Sequence, residues 1–107
     1  MLVTKKRNYE VGEIVSFKLV NGDEIVAKLE SESESEFNIS GPMAAIPSQQ
    51  GIGLMAAMLT AEVEDTTPLA KSQVMLSYKT AEQMTDHYRK LTTGIETVRK
   101  DKKIILA

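Results

Sequence analysis

The sequence predicts a mainly β domain followed by a C-terminal helix. Three observations carry this. Two alternating stretches meet at Asn21-Gly22, a third opens at Phe37, and a helical stripe begins after Thr80. Alternation marks half-buried strands because successive strand residues point to opposite faces. Recurrence at every third or fourth residue marks a helix with an apolar stripe.

In the first strand Val15, Phe17 and Leu19 alternate with Ser16 and Lys18; in the second Ile25, Ala27 and Leu29 alternate with Val26, Lys28 and Glu30. Asn21-Gly22 supplies the positive φ angles of a tight turn, so the two strands pair as a hairpin. Glu30-Ser31-Glu32-Ser33-Glu34-Ser35-Glu36 is like-charged and low in complexity, and reads as a solvated strand end and loop held extended by repulsion. Phe37 and Ile39 resume the alternation around Asn38 and Ser40, until Gly41-Pro42 bends or ends the strand.

Residues 43–66 form an inserted apolar arm. Within it Gly51-Ile52-Gly53-Leu54-Met55-Ala56-Ala57-Met58-Leu59 fits both an Ala/Met helix and an extended segment, and periodicity does not arbitrate. Two glycines in what would be the first helical turn, and strands on either side, favour the extended form. Strand character returns from Leu69 to Lys79, as two strands or one bent strand, with Val74, Leu76 and Tyr78 set against Met75, Ser77 and Lys79. Thr80-Ala81-Glu82-Gln83 has the pattern of a capping box, and Ala81, Met84, His87/Tyr88 and Leu91 make an apolar stripe. The helix is expected over 80–93, with Gly94 as its stop. Residues 99–107 read as a basic tether ending in the apolar clip Ile104-Ile105-Leu106-Ala107.

At 107 residues the chain has room for one domain, spanning 1–107, with a β unit at about 9–79. Its core must be built from aliphatics, since it holds two Phe, three Tyr and no Trp. With no Cys and one His, disulfides, thiolate nucleophiles and Cys/His zinc sites are excluded. Thirteen Lys+Arg against fifteen Asp+Glu leave a net charge of -2, which hides a gradient. Eight acids stand against two bases between Glu10 and Glu36, while Lys5-Lys6-Arg7 and Arg99-Lys100-Asp101-Lys102-Lys103 are basic. No apolar run has the length of a membrane span, and Met1-Leu2-Val3-Thr4 before three bases reverses the order of a secretory signal, so the expected location is the cytoplasm.

Little in the sequence supports catalysis. His87 stands beside Asp86, Tyr88 and Arg89 with no partner at a defined spacing, the pattern of a helix-surface residue. The Glu-Ser run lacks the glycine-turned spacing of a calcium loop, and Gly51-Ile52-Gly53 lacks the third glycine of a dinucleotide site. No two acids are placed to divide acid and base roles. The expectation is a protein that is not an enzyme, with no cofactor, no metal and no catalytic residue.

The order of elements from Val15 to Ser40, and Lys71-Ser72 before the last strand, resembles the Sm/LSm family, which includes bacterial Hfq. Phe17, Leu19, Asn21-Gly22, Ile25, Ala27, Leu29, Asn38 and Ile39 stand in the places of its first motif, and Lys71-Ser72 is the nearest match to its second. Asn38 falls one residue later than the usual spacing, Glu36 replaces the stacking residue, and Ser35 and Ser72 replace an Asp and a Gly. No helix precedes the first strand, and one follows the last. In these features the chain is similar to the short Sm-like proteins of marine cyanophages.

The resemblance implies a small, strongly bent, five-stranded Sm-like (SH3-like) open barrel with a C-terminal helix. It further implies a homo-oligomeric ring of about five to seven subunits joined through edge strands. Asn38, Phe37, Lys71 and Ser72 would then form a site for RNA or single-stranded DNA, with Asn38 reading a base edge and Lys71 holding phosphate. The four glutamates near Asn38 oppose a phosphate backbone, which keeps a second reading open: a small-barrel ring that binds protein and no nucleic acid.

Overall fold

The computed structural model describes residues 9–62 and 65–101, with helix side chains described through Thr93. Lys5-Lys6-Arg7 and the clip at 104–107 lie outside the described residues. Six antiparallel strands form one unclosed sheet: β1 (Ile14–Leu19), β2 (Glu24–Glu32), β3 (Glu36–Ser48), β4 (Gly51–Ala56), β5 (Thr67–Ala70) and β6 (Val74–Lys79). One helix, α1 (Glu82–Asp101), follows them. Among the described residues no helix is long and apolar enough to cross a membrane.

β1 and β2 pair as a hairpin from Ile14↔Lys28 to Lys18↔Glu24. Only Gly22 in its turn takes a positive φ (99°), and the Gly22 amide donates to the Leu19 carbonyl (2.9 Å). Asn21 contributes through its side chain, whose Oδ1 accepts from the Asp23 amide (2.9 Å). The turn therefore uses one left-handed glycine and an Asx contact, where the dipeptide alone suggested two left-handed residues.

β3 does not end at Gly41-Pro42. Val26 pairs Met43 and Lys28 pairs Ser40, so Gly41 and Pro42 together oppose Ala27 as a bulge. A bulge is where a strand accepts a proline, which has no amide to donate, and Gly41 supplies the left-handed φ of 58°. Past the bulge β3 pairs β4 from Met43↔Ala56 to Ser48↔Gly51, across the turn Gln49-Gln50. Before the bulge it pairs β5, from Glu36↔Ala70 to Ile39↔Thr67. The first half of the inserted arm is thus a β-hairpin.

A 3-10 turn, Lys71–Gln73, separates β5 from β6, so the stretch from Leu69 to Lys79 is two strands. β6 pairs β1 from Val15↔Lys79 to Leu19↔Val74. The sheet curls around Val15, Phe17, Ile25, Ala27, Leu29, Phe37 and Ile39, the apolar set of the first three strands. The Phe17 and Phe37 rings meet at 5.0 Å between centroids, tilted by 56°.

A second cluster lies on the outer face. Ile14, Val26 and Met43 are buried there beneath Tyr88 of α1, with Leu54 and Leu91 packed against them. The Tyr88 hydroxyl donates to the carbonyls of Gly41 (2.8 Å) and Ser40 (3.1 Å). Ala81 accepts the first helical bond, from the Thr85 amide (2.8 Å), and the Thr80 hydroxyl bonds Ser16 Oγ (2.7 Å). Thr80 therefore links sheet to helix one position before the cap. The helix continues through Gly94 to Asp101, so Gly94 does not stop it and residues 99–101 of the expected tether are helical.

Candidate functional site

The end of the sheet where β2 turns into β3 holds all four residues singled out in the sequence. The turn is held by Ser33, whose amide donates to the Glu36 carbonyl (2.8 Å) and whose Oγ accepts from the Glu36 amide (3.1 Å). Such a local hydroxyl contact suits a tight turn between polar strand ends.

Asn38 lies between Ser31 of β2 and Pro68 of β5 in register. It is half-buried, and its Nδ2 donates to Ser31 Oγ (2.9 Å). Phe37, one residue earlier, points to the opposite face and is buried at 6% exposure in the core. Its ring is therefore packing and a platform, with no face open to a base.

Lys71 is tied at three points. Its amide donates to the Ser35 carbonyl (2.8 Å), its Nζ lies 2.6 Å from Glu32 Oε2, and the same Nζ sits 5.0 Å from the Phe37 ring centroid. The ion pair and the cation–π contact both hold the ammonium at the mouth of the core. Ser72 is exposed on the 3-10 turn next to it. Glu32 pairs Phe37 in register while Ser31 pairs Asn38. Lys71 and Asn38 therefore reach the same end of the sheet from the two sides of β3, each capped by one of two adjacent β2 residues.

The sequence reading did not single out Ser31 and Glu32, because it placed them in a solvated acidic run. That run is partly structured: Glu30 accepts from Ser40 Oγ (2.7 Å) and lies 3.7 Å from Lys28 Nζ, and Glu32 holds Lys71. Glu34 and Glu36 are exposed. Alternation carried on from Leu29 would set Ser31 on the core face and Glu32 outside; the register shift between Leu29 and Ser31 reverses them, so the local pattern held no signal for Glu32. His87 is exposed on α1. Among the described residues no group of three or more acidic, His or Cys side chains is placed to hold a metal ion. No protein-family model matches the chain, and no curated protein matches it either.

Proposed function

We propose that the chain is the subunit of a homo-oligomeric, cytoplasmic Sm-like ring that binds RNA or single-stranded DNA at the sheet end carrying Asn38 and Lys71. The observation that supports this reading is that β3 and the turn after β5 bring Asn38 and Lys71 to one end of the sheet, Asn38 on one face of β3 and Lys71 over Phe37 on the other. Asn38 offers a carboxamide that both donates and accepts, the chemistry for reading an unstacked base edge. Lys71 offers a point charge for phosphate. With Phe37 buried and Glu36 in the stacking position, no aromatic face contributes the ~1–3 kcal/mol per base that stacking supplies, so binding is weak, in the micromolar range or poorer.

The Lys71–Glu32 pair favours a second reading, a ring that binds a protein partner, because the only cation at this end is already neutralised among the described residues. Fluorescence anisotropy with labelled oligouridylate and oligoadenylate at low and high salt separates the two. Under the nucleic-acid reading Asn38→Ala weakens binding at every salt concentration without changing assembly size. Lys71→Ala weakens it by leaving Glu32 as an unpaired carboxylate beside the ligand. If both variants bind like the parent, the protein-binding reading replaces this one.

A further inference from the structure

We propose that Glu32 is the specificity-determining residue of this sheet end: its carboxylate holds Lys71 as a built-in substitute for phosphate. The inference rests on the nucleic-acid reading above. Four glutamates stand near the site in sequence, and electrostatics alone would let each of them oppose a phosphate backbone. The geometry separates them. Glu30 is engaged by Ser40 and Lys28, Glu34 and Glu36 are exposed, and Glu32 alone reaches Lys71, at 2.6 Å.

A carboxylate oxygen at that distance occupies the place that a phosphate oxygen needs. The Lys71 amide on Ser35 fixes the backbone from which the side chain reaches, and the Phe37 ring beneath the ammonium holds it against Glu32. A phosphate arriving here exchanges one ion pair for another and sets free a carboxylate beside it, so charge contributes almost nothing. The ligand must be held by what Asn38 recognises, repeated over several subunits, where linked contacts add up as avidity. The ligand class is accordingly a single strand long enough to span neighbouring subunits and read by its bases. Mononucleotides and generic polyanions are rejected. Ser31 treats Asn38 in the same manner but through a neutral hydroxyl, which a base edge displaces without an unpaired charge being left behind.

The test compares Glu32→Gln with Glu34→Gln, since both remove one negative charge and only the first frees Lys71. With labelled oligouridylate, Glu32→Gln should bind about three- to fivefold tighter per engaged subunit and steepen the salt slope by about 0.7. Glu34→Gln should stay within about twofold of the parent, and Glu32→Gln/Lys71→Ala should lose the gain. Equal gains in both single variants, or a gain that survives loss of Lys71, overturn the inference. Should no form bind oligonucleotide, the proposed function falls, and retention on a phosphate-bearing resin still decides the role of Glu32. Later elution of Glu32→Gln than of Glu34→Gln upholds it as the residue that blocks Lys71; coincident elution overturns it.

Discussion

Tyr88 joins the helix to the sheet at the bulge of β3. A Cβ on Gly41 would lie 2.7 Å from the Tyr88 hydroxyl oxygen, and Gly41 already has a φ of 58°. Gly41→Ala therefore meets two costs, a left-handed alanine and a displaced buried tyrosine, together about 2–3 kcal/mol. Tyr88→Phe loses the hydrogen bonds to Gly41 and Ser40 and costs about 1–2 kcal/mol. The Phe variant also removes the clashing oxygen, so the double variant should be less destabilised than the sum of the singles. Urea denaturation with an unchanged m-value checks this; strict additivity would mean that the hydroxyl and the Gly41 site are not coupled.

At the scale of elements, the turn before β1 is fastened to the far end of β6 through one carboxylate. The Glu10 amide donates to Glu13 Oε1 (2.8 Å), and Lys79 Nζ lies 3.2 Å from Oε2. The amide first, and then the ammonium, hold the Glu13 carboxyl below its ordinary value against the opposing pull of burial. Because the folded pKa is the lower one, the unfolded chain binds more protons in this window and stability rises with pH. The contribution is complete above the ordinary glutamate range, about 4.3, and is lost as pH falls through the lowered folded value. Glu13→Gln should therefore be less stable than the parent near neutrality and converge with it in acid. Thermal melts across that range check the convergence, and a constant difference would place the effect elsewhere.

At the scale of the molecule, the described strands form an open sheet with β4 and β6 at its two ends and apolar side chains on them. Ile52, Met55, Met75, Leu76 and Tyr78 are all exposed by about half. An uncovered edge is a template for another strand, and closing edges against copies is how a small sheet gains burial. The proposed ring predicts that light scattering finds a stable oligomer of about five to seven subunits at micromolar concentration. Met55→Lys and Leu76→Lys should dissociate it while changing the stability of the isolated subunit by no more than about 0.5 kcal/mol, the usual range for exposed positions. A parent protein that is monomeric would remove the ring, and with it the avidity on which nucleic-acid binding depends.

The local pattern was enough for the hairpin, for the third strand and for the inner core, because Val15, Phe17, Ile25, Ala27, Leu29, Phe37 and Ile39 are placed by alternation within a few residues of one another. The helix was legible from its stripe, but the Thr80 capping box was not formed: the Thr80 hydroxyl bonds Ser16 and the helix starts at Glu82. Contacts distant in sequence decided the rest. Val26 read as a solvent-side residue and is 2% exposed because α1 lies over it; Gly41-Pro42 read as a bend or an end of the strand, and Ala27 opposite makes it a bulge within a strand that continues. The acidic run read as uniformly solvated, yet Glu32 faces Lys71 across the mouth of the core. Periodicity reports which face of an element is apolar. Which neighbour covers that face, and which single carboxylate meets the lysine, depends on pairings that only the assembled sheet brings about.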